Sequence, residues 1–177
     1  MENTLRKVAG QKMKSAIAAE EFTGIYEKTM PSVYRLCYSY LKNRADTQDM
    51  VHSVYVKLLQ TGKVFDGDEH RKAWLFVTAR NLCKNHLRHW WQRERNSLPD
   101  EDGGDGLFIS APAEDRSGVR EAVLNLPEKY KILIFLYYYE GYNTNEIAEM
   151  LEKNNSTVRR QLAEARTILG GMICEEE

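Results

Sequence analysis

Residues in three parts of this sequence have types and spacings that could do chemistry. Between positions 156 and 166 stand Ser156, Thr157, Arg159, Arg160, Gln161, Glu164 and Arg166. Arginine can clasp guanine, Gln can read adenine, Glu can accept from cytosine, and hydroxyls and cations hold phosphates, so this is a set for contacting duplex DNA. Further upstream, Phe65 lies among Lys63, Arg71 and Lys72, with Arg80 and Lys84 following. A π-face for a base beside cations for its backbone is what a single-strand site needs, although Phe65 could equally plug its loop against Leu58 and Leu75. The third group is Asp46, Asp49 and His52, a D-x-x-D-x-x-H series at helical spacing. Acids there can favour a helix N-terminus, and they are the nearest approach to the cluster a metal-dependent nuclease would require. His86 and His89 have no nearby Cys, Asp or Glu spaced to complete a four-ligand site, so neither metal nor cofactor is expected.

These groups must be positioned by helices. Before residue 96 the apolar residues follow a period of 3.6: Phe22, Ile25, Tyr26; Tyr34, Cys37, Tyr38, Leu41; Val51, Val54, Tyr55, Leu58, Leu59; Leu75, Thr78, Leu82, His86. Four helices are expected. Pro31 should separate the first from the second, Asn43 to Asp46 should cap the third, and Gly62 should end it. The fourth should run from about His70 to Arg95, after a loop at 63–70. Trp74 suits either core or base stacking, and Trp90 and Trp91 suit packing or an interface.

Residues 96–118 hold two of the four prolines, four of the eleven glycines and six acids against one Arg, a composition that predicts an extended linker. Beyond it, 119–124 reads as a short helix and Leu126-Pro127-Glu128 opens another. The run ILIFLYYY at 132–139 suits a buried strand, but Pro127, Glu128 and the stop at Glu140-Gly141 favour helix. Asn143 with Glu146 makes a capping box for a short helix to Leu151. A turn over 152–155 follows, with an asparagine in the left-handed region, and Ser156 caps a last helix whose stripe is Val158, Leu162, Ala165 and Leu169. This is a helix-turn-helix pattern over 143–169. An αα-hairpin with a solvated face fits the same spacing.

The formal charge of −1 conceals an asymmetry. Residues 1–95 carry 17 Lys and Arg against 10 Asp and Glu, whereas 96–177 carry 8 against 16. A basic first half suggests a polyanionic partner. Three widely spaced cysteines, Cys37, Cys83 and Cys174, predict reduced thiols rather than a disulfide framework. No stretch approaches the roughly 18 uninterrupted apolar residues of a membrane span, and the N-terminus lacks the apolar core of a secretory signal. A soluble, cytoplasmic protein without membrane insertion is expected.

In residues 119–169, LPE, EGY, EIAE and STV stand in the order and spacing of the promoter-binding domain of bacterial sigma factors, which this segment resembles. In residues 20–95, ADTQDMVHSVYVKLL and AWLFVTARNLCKNHLR resemble the sigma domain that binds polymerase and opens DNA. With two such domains and one linker, the chain is similar to the extracytoplasmic-function (ECF) group. The resemblance implies an all-α fold of two small helical domains joined by a flexible acidic linker: an extension at 1–19, the polymerase and minus-10 domain at 20–95, the linker at 96–118 and the minus-35 helix-turn-helix domain at 119–177. It implies a non-enzymatic initiation factor that binds core RNA polymerase, directs it to promoters and helps melt them. Promoter DNA is a second partner and an anti-sigma protein a third.

The same resemblance assigns Asp46, Asp49 and His52 to polymerase docking, and Lys63, Phe65, Arg71, Lys72, Arg80 and Lys84 to the minus-10 strand. Ser156, Thr157, Arg159, Arg160, Gln161, Glu164 and Arg166 fall to the minus-35 element. Asn85 stands where many relatives have aspartate, and the basic positions of the last helix are shifted, which implies a different minus-35 preference. Outside the resemblance, the competing reading is a helix-turn-helix repressor or activator that is no polymerase subunit.

Overall fold

A computed structural model describes the backbone of residues 19–94 and 117–174, with the side chains of 90–94, 117 and 174 excepted. Most of the expected linker, the extension up to residue 18 and the side chains of Trp90, Trp91 and Cys174 lie outside the described residues. Every regular element among the described residues is helical. The first half holds α1 (Ala19–Leu41), α2 (Arg44–Gln60) and α3 (Gly67–Glu94). The second holds α4 (Ser117–Asn125), α5 (Glu128–Ile134), a π-helical segment Phe135–Tyr139, α6 (Thr144–Met150) and α7 (Asn155–Cys174).

Among the described residues before the linker there are three helices, not four, because α1 passes straight through Pro31. An interior proline forfeits one backbone hydrogen bond and costs about 3 kcal/mol. Here Ile25, Thr29, Val33, Leu36, Cys37 and Tyr40 form one buried stripe on both sides of it, and the packing of that stripe against α2 and α3 offsets the cost. The start of α2 is as expected: Asn43 Oδ1 accepts from the Asp46 amide at 2.8 Å. Helix α3 begins at Gly67 rather than near His70, which shortens the preceding loop, and its first turn carries Asp68 and Glu69 where the macrodipole favours acids.

In the second half, α4 begins at Ser117, so the last two residues assigned to the linker are helical. Pro127 precedes α5, and the run that could have been a strand continues as a π-turn, with the Glu140 amide donating to Phe135 O at 3.2 Å. Gly141, at φ 77°, ends it in a conformation that favours glycine. The capping box at Asn143 and Glu146 is formed, the Asn143 amide donating to Glu146 Oε2 at 2.7 Å. In the next turn the left-handed residue is Glu152, at φ 52°, and not an asparagine. Helix α7 starts one residue before Ser156, and Asn155 instead ties it back to α6, its side chain donating to Thr144 Oγ1 at 3.0 Å.

Helices α1, α2 and α3 pack on one another, and α4, α5 and α6 pack on α7. The two groups share a single apolar core, because α5 also meets α1 and α6 meets α3. Tyr130 through Leu136 are all buried, as happens when a helix is covered on every side.

Candidate nucleic-acid interface

The three groups of residues occupy three separate regions. Helix α2 carries the acidic one. Asp46 is committed to the helix start: its Oδ2 accepts from the Asn43 side chain at 2.6 Å and lies 3.3 Å from His86 Nε2. Asp49 and His52, further along, are exposed. Beside them runs an open apolar groove of about 500 Å³ between α1 and α2, whose lining includes Pro31, Tyr34, Val51, His52 and Val56.

On α3 and the loop before it, Phe65 is half-buried against Trp74, with ring centroids 5.6 Å apart, and against His70 at 5.7 Å. The Arg71 guanidinium lies 5.8 Å from the same ring and pairs with Asp68 at 2.9 Å and Glu21 at 3.3 Å. An aromatic ring with a cation above it is thus assembled, and the cation is held in place by two carboxylates. Lys63 and Lys84 are exposed. Lys72 is not available in the same way, since its Nζ lies 2.8 Å from Glu140 of the second half. Arg80 is half-buried.

Helix α7 buries Val158, Leu162 and Ala165 on the rest of its module and turns Ser156, Arg159 and Arg160 to solvent, with Thr157 partly covered. The other assigned residues have partners inside the chain. Gln161 Oε1 accepts from Lys153 Nζ at 2.9 Å, and Glu164 Oε2 accepts from the Tyr130 hydroxyl at 2.9 Å. Arg166 Nε donates to the Tyr138 hydroxyl at 2.7 Å while its guanidinium lies over Tyr137 and Tyr138. The most exposed cations of α7, Arg159 and the Glu164-paired Arg160, therefore cluster in its first turns, the end that enters a major groove in helix-turn-helix proteins.

Two stretches of the chain match the sigma-70 family: residues 25–93 match region 2 and residues 116–169 match region 4. The RNA polymerase sigma factor SigV of Bacillus subtilis is 29% identical over 147 residues, 81% of this chain and 86% of the relative. The ECF RNA polymerase sigma factor SigL of Mycobacterium tuberculosis is 28% identical over 160 residues, 85% of this chain and 89% of the relative. The chain belongs to the ECF group of sigma factors. The fold agrees with that of the sigma factor RpoE from Bartonella quintana, solved in complex with the anti-sigma factor NepR. The TM-score is 0.71 at 16% identity, covering 90% of this chain and 100% of that one. In this sigma factor α2 and α3 up to residue 93 fall within the region 2 match, and α6 and α7 up to residue 169 within the region 4 match. No helix among the described residues is long and apolar enough to cross a membrane.

Contacts between the two halves of this sigma factor escape sequence reasoning. Lys131 is buried, and its Nζ donates to Leu124 O at 2.8 Å and also to Ser39 O of α1. Burial, and then the nearby Lys42, lower its pKa from the ordinary lysine value to about 8. The Tyr142 hydroxyl donates to Glu69 Oε2 at 2.8 Å. Burial and that carboxylate push its pKa above the usual tyrosine range. A lysine heading a run of apolar residues was the only local hint of such contacts.

Proposed function

We propose that this sigma factor divides its work among three surfaces. It binds core RNA polymerase, directs it to promoters and helps melt them. Docking belongs to α2, through Asp49 and His52 with Asp46 shaping the helix start. Capture of the unwound minus-10 strand belongs to Phe65 and the cations Lys63, Arg71, Lys72, Arg80 and Lys84. Duplex reading at the minus-35 element belongs to the start of α7, through Ser156, Thr157, Arg159 and Arg160, with Gln161, Glu164 and Arg166 setting the shape of that face. The protein itself catalyses nothing, acts in the cytoplasm, and is open to control by an anti-sigma protein.

The observation that supports docking most directly is the exposed His52 on the lining of the apolar groove, with the exposed Asp49 three residues before it on α2. A partner helix could lay an apolar face in the groove and present cations to the carboxylate. Asp49→Lys tests this, because Asp49 is outside the cap that Asp46 completes. Affinity capture of core polymerase by the variant should fall at least tenfold, about the loss of one charge-assisted contact, with helicity unchanged. Undiminished capture would move the docking site elsewhere.

A further inference from the structure

From the first turns of α7 a row of polar contacts runs inward to the core. Arg160 Nε lies 3.8 Å from Glu164 Oε1, four residues on and therefore on the same face of the helix. The other oxygen of that carboxylate, Oε2, accepts from the Tyr130 hydroxyl at 2.9 Å. Exposure falls along the row, from 71% for the Arg160 side chain to 42% for that of Glu164 and 4% for Tyr130. Tyr130 is fixed, because its ring belongs to the apolar core and its amide donates to Pro127 O at 2.9 Å in the first turn of α5. A buried hydroxyl thus holds one end of a half-exposed carboxylate, whose other end faces an arginine assigned to base reading. All three residues lie in the second module.

We propose that Tyr130 is a positioning residue for minus-35 recognition: acting through Glu164 from within the core, its hydroxyl aims the Arg160 guanidinium and so sharpens base preference. This rests on the assignment of Arg160 to base reading. A guanidinium clasps guanine O6 and N7 only in the plane of the base, whereas it meets a phosphate from many directions, and only the first contact carries sequence information. An exposed arginine loses rotamer freedom when it docks, and ordering it beforehand favours the contact that demands one orientation. The pair with Glu164 is suited to aiming rather than locking, since an exposed ion pair at 3.8 Å contributes little and yields to a base. Without the hydroxyl, Glu164 would be free to turn and would order nothing. With Oε2 held and Oε1 facing Arg160, Glu164 serves the arginine instead of accepting from a cytosine of its own.

The test uses holoenzyme assembled from core RNA polymerase and the full chain, on duplexes from one promoter that it transcribes, carrying each single-base change across the minus-35 element. The variants are Tyr130→Phe, Glu164→Gln, Arg160→Ala and the combination of Tyr130→Phe with Arg160→Ala. Competition gives the relative affinity for every duplex, and thermal melting checks folding. Tyr130→Phe should narrow the ratio of preferred to other bases about fivefold, the low end of what one bidentate contact gives, at the base pair where Arg160→Ala acts. Affinity for the non-preferred duplexes should stay as it was. Glu164→Gln should narrow the ratio at the same base pair, whatever its lost charge does to affinity throughout. Added to Arg160→Ala, Tyr130→Phe should narrow nothing further, because its effect passes through the arginine. A loss shared equally by all duplexes, or one undiminished in the Arg160→Ala background, would make the hydroxyl a support of the fold and overturn the proposal. Glu164→Gln acting at a base pair of its own would overturn it too. Preference changed by Arg160→Ala but not by Tyr130→Phe would remove the positioning role alone, whereas preference unchanged by Arg160→Ala would remove the base-reading assignment with it.

Discussion

Arg160 and Arg166 share α7 but not an environment. Arg160 is exposed near the helix start, with only a 3.8 Å approach to Glu164, whereas Arg166 is locked on two tyrosines. Arg160→Ala should therefore weaken promoter binding by about 1–3 kcal/mol at one base pair of the minus-35 element, measured by competition among single-base variants. Arg166→Ala should lower thermal stability and leave base preference alone; equal loss over all sequences from Arg160→Ala would mark a phosphate contact instead. A second residue-scale expectation concerns Lys131. Its pKa is near 8 in the folded chain and returns to the ordinary 10.5 on unfolding. Between those values the unfolded chain holds more protons, so this group's penalty is full below pH 8 and disappears as pH rises toward 10.5. Denaturant unfolding should show stability rising across that window relative to Lys131→Met, and parallel curves for the two would refute the burial argument. Of the residues assigned from sequence, the exposed ones needed only local pattern to find. The engagement of Lys72, of Glu164 with Tyr130 and of Arg166 was not legible, since these partners are more than 25 residues away, and the Gln161 contact with the nearby Lys153 carried no pattern either.

At the scale of elements, the clearest departure is Pro31. Proline is a local breaker, but the stripe from Ile25 to Tyr40 keeps helical register through it, and packing decides. Pro31→Ala should raise stability by about 1–3 kcal/mol in denaturant unfolding, less whatever packing the ring supplies at the groove. A loss would mean that Pro31 is required for the shape of α1. Caps and stops were otherwise legible, because they depend on residues within a turn of one another: Asn43 with Asp46, Asn143 with Glu146, and Gly141 at the end of the π-turn. The turn before α7 was half legible. Its place follows from the two apolar stripes it joins, but the left-handed residue is Glu152, set by how α6 and α7 pack rather than by intrinsic preference. The π-turn had no signal at all beyond an apolar run too long for its helix.

For the whole molecule, the sequence suggested two modules by composition and two apolar patterns, and the described residues place both in a continuous core. The hint was α5 with the start of the π-helical segment: seven consecutive buried residues, Tyr130 to Leu136, need cover on more sides than one small module supplies. The region 2 match ends before the expected linker and the region 4 match begins within its last three residues. The most direct measurement is in vitro transcription from a fragmented genomic DNA library, with purified core RNA polymerase and this protein. Core plus protein should yield transcripts from discrete start sites that core alone does not make, and Asp49→Lys should abolish them. Transcription no different from that of core alone, with tight duplex binding in the absence of polymerase, would contradict the account and leave a helix-turn-helix regulator in its place.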